Sequence, residues 1–490
     1  MFPTLEKRLT RREAIGTAAK VATGAVIAGV LGGVAGYYAG STTAARPATT
    51  IERTVTTTVT AAERTVTQTV TAPATTVTLP ASTVTVTETV AAKPTGAITA
   101  YMVAEPGPEA LKNIIGLFAR KTGIDVTLEV YPYATLQTKQ ATIAAAKSEA
   151  VDVYYVDDVW LGQYYESGWV EPIDELIERD KEEVLIDDFP KGLQEGNMRY
   201  AGHWIGLGHI SAIYIFYYRT DILEQFGYSE KDLDTYEGVY EVAKAMKPDL
   251  EKKGMYPIGL MGARGVQATC CYYHFLGTFG GRVYDPETYK PEINSPEAIE
   301  ALEFEAKLAK EVGIPSIPSD DYGELQSHFL TGKIAMMPAW HNMAPVLLRP
   351  DSPVRGKWRG IPVPKVVRRA PTLGGWCMAL SKFSKKKDLA WEFIKWAASP
   401  SVCTYLSQYQ DMSRYSSFAW PEKACYASAS MAMLEIAWPR PNIPPWPAMS
   451  DLMGIAVNKV LAGETTAKAA LDDLQKKYEE ILRSAGYYKG

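Results

Sequence analysis

The chain reads as an α/β protein whose folded body begins near residue 95, and three observations carry that reading. Nearly all the aromatic mass lies beyond position 96, since the residues before it hold no Trp and their only tyrosines are Tyr37 and Tyr38. Short apolar or alternating runs then take turns with runs of helical spacing, in the order β-α-β-α-β. Gly and Pro stand at the junctions. Such an order argues for a largely parallel sheet covered by helices.

The elements follow one another clearly. Ala97 to Val103 is an apolar stretch that predicts a strand, and Glu105-Pro106-Gly107-Pro108 predicts a turn. Pro108 suits the first turn of a helix whose Leu111, Ile114, Ile115 and Phe118 recur at helical spacing, with Gly123 as its stop. Val126, Leu128 and Val130 alternate as a strand does. Thr135 to Ala150 predicts a second helix and Val151 to Val156 a short buried strand.

Ligands of such sheets bind at the carboxyl ends of the strands. Here that position is Asp157-Asp158-Val159-Trp160. Carboxylates accept hydrogen bonds from hydroxyls and an indole face packs on the C–H side of a sugar ring, so the loop suits a polyol. The alternative is structural: Asp157 or Asp158 caps a helix starting near Leu161, and Trp160 belongs to the core.

With 490 residues the chain has room for two to four compact units. Residues 1–96 hold nine Lys/Arg and five Asp/Glu, which leaves the body with 42 basic and 51 acidic side chains, a net of −9 with His neutral. An acidic surface repels phosphate backbones, so nucleic acid is not expected as a partner. The cysteines, Cys270, Cys271, Cys377, Cys403 and Cys425, show no C-x-x-C spacing, and the five His are scattered. No metal or other cofactor is expected. The vicinal pair Cys270 and Cys271 reads as buried thiols, with redox activity as the alternative.

The first forty residues look like an address. Arg and Lys precede an uncharged run from Val21 to Gly40, the mark of an export signal. Thr10-Arg11-Arg12 with Ile15 resembles the twin-arginine signal, with Ala14 where that pattern prefers Phe; Sec-type export is the alternative. The run is long enough to span a bilayer and only weakly hydrophobic, so both a cleaved signal and a retained membrane anchor fit. A retained segment would leave the body outside. From Ser41 to Val90 the chain is a Thr-Val-Ala tract with 20 Thr. Its alternation suits a strand, but with little to bury, an extended stalk is the expectation over residues 41–94.

At the strand-end loop the sequence resembles a known family. Val151-Asp152-Val153-Tyr154-Tyr155-Val156-Asp157-Asp158-Val159-Trp160 with Gly168-Trp169-Val170-Glu171-Pro172 is similar to a segment of family 1 extracellular solute-binding proteins of ABC importers, the maltose, trehalose and oligosaccharide binders. Tyr214 to Asp221 resembles the strand entering the second lobe, and Phe329-Leu330-Thr331-Gly332-Lys333-Ile334-Ala335-Met336 with Trp340 the F-x-x-G-K-x-A-M segment. Gly374-Gly375-Trp376 and Ala390 to Lys395 resemble the return to the first lobe, and Pro439-Arg440-Pro441-Asn442 a late loop of the second.

The resemblance implies a two-lobed periplasmic-binding-protein-like fold with a ligand cleft between lobes: about 97–210 with 366–411, and 212–362 with 413–486. It implies Trp340 and Trp376 as ring-stacking residues faced by Asp158 and Trp160, with Asp157, His341, Tyr272 and Arg440 as further ligand-binding candidates. Asn342, His209, Arg414 and Tyr415 are weaker ones. The implied function is capture of a sugar or oligosaccharide by closure of a monomer, which then docks on ABC permease subunits. A peptide, polyamine or phosphate ester is the rival ligand, and an exported carbohydrate-active enzyme or an adhesion protein the rival classes. No nucleophile elbow, zinc-helix motif or P-loop supports an enzyme.

Overall fold

The structure is a computed structural model that describes residues 53–59, 64–70 and 95–489. It divides into two units, Met1–Ala92 and Lys93–Gly490. In the first, strands β1 (Arg53–Val59) and β2 (Arg64–Val70) pair antiparallel, with Arg53 opposite Val70 and Val59 opposite Arg64. Alternating β-branched Thr and Val suit the pleated backbone, the strand reading that the sequence also allows here. The expected signal or anchor and the rest of the Thr tract lie outside the described residues. Among the described residues no helix is long and apolar enough to cross a membrane.

The second unit opens as the sequence predicts, with β3 (Gly96–Val103), the helix Pro106–Thr122, β4 (Ile124–Tyr131), the helix Tyr133–Ala145 and β5 (Val153–Asp157). The first helix begins two residues earlier than expected and stops at Gly123, whose φ of 79° closes the helix in the left-handed region. The second helix ends well before Ala150, because Lys147 takes a φ of 53° and turns the chain. β5 starts at Val153 because Asp152 is occupied elsewhere: its carboxylate accepts from Thr99 N at 2.8 Å and Ser384 Oγ at 2.6 Å.

The remaining strands are the short pair β6 (Arg199–Tyr200) and β7 (His203–Trp204), then β8 (Gly206–Arg219), β9 (Tyr256–Ile258), β10 (Ile334–Trp340), β11 (Trp358–Ile361), β12 (Thr372–Leu380) and β13 (Trp438–Pro439). One sheet runs β4-β3-β5-β12-β8-β10-β9, with β11 added to β8 and β13 to β12. β3, β4 and β5 are parallel, so their carboxyl ends share one edge.

β8 joins the two halves of this sheet. All 14 of its residues are buried. Gly206–Ile213 pair with β12, whereas Tyr214–Arg219 pair with β10 and β11. The expected lobe boundary near residue 211 therefore falls inside one unbroken strand. Each half has its own helical cover. In the first, Phe118 meets Phe393 of the helix Lys387–Ala397 edge-on at 5.6 Å. In the second, the helix Val266–Thr278 packs against the helices Pro296–Glu311 and Trp446–Leu461, and the latter against Ala467–Ser484.

Candidate functional site

The strand-end loop is the centre of the site. Asp157 closes β5 opposite Trp376 of β12, and the chain then makes a tight turn over Asp158–Trp160 before the helix Leu161–Glu166. Neither Asp157 nor Trp160, the residues at the two helical starts, makes a side-chain capping bond. The carboxylates are engaged elsewhere. Tyr133 donates its hydroxyl to Asp157 Oδ2 at 2.7 Å. Arg440 Nη2 reaches Asp157 Oδ1 at 3.0 Å and also bonds Asp158 Oδ1.

Asp157 is 4% exposed and Asp158 fully buried. Burial pushes the Asp158 carboxyl well above the usual range; Arg440 opposes that, and the charge of Asp157 adds to it. Burial likewise opposes the Arg440 charge, but Asp158 and Asp157 outweigh it and keep the guanidinium ionised. One cation thus serves two carboxylates. Asp158 Oδ2 has no hydrogen-bond partner in the protein, an unmet acceptor that a ligand hydroxyl can satisfy.

The aromatic residues around this group pack on one another. Tyr133, Trp160 and Trp376 form a three-sided cluster, with centroids 5.0 Å apart for Tyr133–Trp160, 5.7 Å for Tyr133–Trp376 and 5.3 Å for Trp160–Trp376. Tyr155 lies flat on Trp376 at 5.0 Å and 4°. Tyr155 thus covers one face of the Trp376 indole, and the rings of Tyr133 and Trp160 stand nearly perpendicular to it. The Trp376 side chain also lies close enough to Glu105 to favour its ionised carboxylate. Gly375 permits this presentation, with φ 141° and room for no β-carbon, which would sit 2.7 Å from Ile210 O.

Trp340 comes from the other half of the sheet, at the end of β10. Its indole donates to Gln267 Oε1 at 2.8 Å, Tyr214 meets it edge-on at 4.5 Å, and the Arg440 guanidinium lies 5.9 Å from its ring. Trp340 and Trp376 are 5% and 6% exposed.

Glu105, just past the end of β3, completes the cluster. Gln410 Nε2 bonds its carboxylate, and Gly107 N holds Gln410 in turn at 2.9 Å. The residue is half-buried but its carboxyl end is enclosed, and that burial pushes its pKa up to about 7 against the opposing effects of Gln410 and Trp376.

Asp157, Asp158, Trp160, Trp340, Trp376 and Arg440 are thus brought together. Two candidates are not. Tyr272 is fully buried in the second half, where its hydroxyl donates to Ala298 O at 2.8 Å. The helix that carries it is buried nearly all round, so local aromatic content did not fix which side faces the cleft. His341 is buried behind Trp340, with Nε2 3.0 Å from Ser211 O and its ring against Phe418. Burial lowers its pKa, as it does that of His209, down to about 3.

Arg414 is locked on the carbonyls of Val184, Leu185 and Ala398. Tyr415 begins a short 3-10 turn beside it. Asn342 is held by Tyr322 at 3.4 Å. Sequence reasoning missed Tyr133, Glu105 and Gln267. Two of these follow directly on the carboxyl ends of β4 and β3, a signal that was present.

All five cysteines are free, and no cluster of His, Cys, Asp or Glu suited to a metal occurs among the described residues. Cys270 and Cys271 are buried; burial raises the Cys270 thiol to about 11, and its sulfur accepts from Arg440 Nη1 at 3.5 Å.

Residues 95–402 match the family described as bacterial extracellular solute-binding protein. The chain belongs to that family. The solute-binding protein is 28% identical to an ABC transporter solute-binding protein from Agrobacterium radiobacter K84 solved with ribitol, at a TM-score of 0.71 over 79% of this chain and 98% of that one. Against maltose-bound MalE3 of T. maritima it is 25% identical, with a TM-score of 0.70 over 79% of this chain and 100% of that one. A curated relative from Sinorhizobium fredii, a probable amino-acid ABC transporter periplasmic-binding protein, is 23% identical over 78% of this chain and 88% of its own length. The solute-binding protein therefore has the two-lobed α/β fold of periplasmic binding proteins, with Asp157, Asp158 and Trp160 at the end of β5 in one half of the sheet and Trp340 at the end of β10 in the other.

Proposed function

We propose that this protein captures an uncharged, hydroxyl-rich solute, a sugar or sugar alcohol, outside the membrane and delivers it to the permease of an ABC importer. The observation that carries the reading is the Asp157–Arg440–Asp158 group with its unmet Asp158 Oδ2. With two aspartates held on its one guanidinium, the group has no spare positive charge to draw an anionic ligand such as a phosphate ester. Carboxylate acceptors beside tyrosine and indole surfaces are what a polyol requires. The ribitol and maltose bound by the structural relatives support the same class.

A carrier fits better than an enzyme. Asp157 and Asp158 stand side by side on one guanidinium and do not flank a bond from opposite sides, as a glycosidase requires. Affinity would arise from lobe closure, each bound solute favouring the closed form. Retention at the outer membrane face by residues 21–40 belongs to the same proposal. It is tested by whether the protein pellets with membranes and is lost from them when that run is deleted.

The deciding experiment is calorimetric titration of the full chain with ribitol, mannitol, maltose and maltotriose, with amino acids and glucose 6-phosphate as controls. Saturable 1:1 binding of a polyol or sugar, returned chemically unchanged, supports the reading. Binding of an amino acid or phosphate ester alone, or turnover of the sugar, refutes it.

A further inference from the structure

Outside the cleft, at its rim, a second contact joins the lobes. Glu166 ends the helix Leu161–Glu166, six residues beyond Trp160, and its exposed carboxylate is held on its own lobe by the Tyr200 hydroxyl. From the other lobe Tyr487 donates to both carboxylate oxygens, at 3.0 and 2.9 Å.

Tyr487 is fixed in that lobe. Gly486, with φ 80°, ends the helix Ala467–Ser484 and lets Tyr487 N turn back onto Leu482 O at 2.9 Å. The helix is tied down by Tyr478 on Met449 O at 2.6 Å, by Gln475 on Pro291 O at 2.8 Å and by Asn294 on Asp472 at 3.0 Å. Tyr289 then packs edge-on against Tyr487 at 5.0 Å. It does so from φ 54°, within a turn closed by Asp285 N on Lys290 O at 2.8 Å. Burial, followed by the Glu166 carboxylate, raises the pKa of both Tyr200 and Tyr487, which keeps the two hydroxyls protonated as donors.

We propose that Tyr487 and Glu166 form a rim clasp that biases the lobes toward closure before any solute binds, and so sets solute affinity from outside the cleft. The clasp rests on closure of the lobes as described above but not on the identity of the solute. Its hydrogen bonds exist only when the lobes meet, so they add to the closed form alone. A net hydrogen bond of ordinary strength shifts the closed-to-open ratio by about 3- to 10-fold. The same factor carries into the apparent affinity for any ligand that requires closure.

The test needs no solute. Spin labels at Leu117→Cys, exposed on the first-lobe helix, and Lys310→Cys, exposed on the second-lobe helix, report the interlobe distance in the full chain carrying Cys425→Ser. The expected result is a short and a long distance population whose ratio falls about 3- to 10-fold on adding Tyr487→Phe, which keeps the ring against Tyr289. Glu166→Gln shifts it in the same direction, and a melting curve for each variant confirms that it is folded. A distance distribution that is the same with and without Tyr487→Phe, whether one population or two, overturns the clasp. Because no sugar enters the measurement, a failure here is distinct from a failure of the carbohydrate reading.

Discussion

Arg440 stands between Asp157 and Asp158, bonded to both, and among the described residues it is the only cationic side chain that forms an ion pair with these two carboxylates. The loop that carries it follows β13, far along the chain from β5, so the pairing depends on the completed fold. Arg440→Ala removes the shared cation and leaves two buried carboxylates uncompensated. The expected loss of stability is about 3–5 kcal/mol, with solute binding abolished. Thermal melting and calorimetric titration check the two effects separately, and a variant that melts like the parent contradicts this account of the charge balance.

Trp376 packs flat on Tyr155 and edge-on to Trp160, so its removal is a core defect as well as a site defect. Trp376→Ala is expected to cost about 3–5 kcal/mol in chemical denaturation. Gln267→Leu leaves the core intact but deprives the Trp340 indole of its acceptor, which predicts weakened binding with little change in stability. If both variants lose stability equally, the distinction between the two tryptophans fails.

Gly162 lies under the Arg440 loop, where a β-carbon would sit 1.9 Å from Asn442 O. Gly162→Ala must therefore push that loop away from the helix Leu161–Glu166. The expected outcome is a loss of about 1–3 kcal/mol together with at least about tenfold weaker solute binding, equivalent to 1.4 kcal/mol. Unchanged affinity would show that the loop need not approach so closely.

Glu305 is buried without a partner for either oxygen, and burial raises its carboxyl to about 8, with Cys271 acting weakly in the other direction. A carboxyl whose folded pKa lies above its unfolded value of 4.5 stays protonated in the fold while the unfolded chain ionises. Its contribution is fully present below pH 4.5 and is lost progressively as pH rises to 8. Glu305→Gln should remove that loss and stabilise the protein at pH 8 by on the order of 3–5 kcal/mol. Melting temperatures of parent and variant at pH 5 and pH 8 decide it: the gap between them must widen with pH.

Thiol reactivity offers a simple check on the core. Burial raises Cys270 and Cys425 to about 11 and Cys403 to about 12, and carries Cys271 and Cys377 up as well. Only Cys425 is partly exposed. A disulfide reagent at pH 8 should therefore label one thiol slowly in the native protein and five after denaturation.

The first three strands and the strand-end loop were legible because each local signal there agrees with the next: alternation, a Pro start, a Gly stop and two carboxylates at the edge where such sheets bind ligands. Trp160 and the Asp pair could be placed on that ground alone. Arg440 could not, since nothing local to Pro439-Arg440-Pro441 indicates its partners; resemblance alone named it. Tyr133 and Glu105 sit at equivalent strand ends and were passed over for want of a striplike pattern. Tyr272 was misplaced because the face a wholly buried helix turns to the cleft is set by tertiary packing.

The continuity of β8 has a mechanical consequence. A hinge made of loop relaxes in many directions, but a strand whose two ends are hydrogen-bonded into different halves of a sheet can only flex and twist along its length. In the proposed closure, opening would store elastic energy in the ribbon itself and meet a restoring force from it. The two jaws would return to register as the ends of a leaf spring do, with no segment having to unfold and refold.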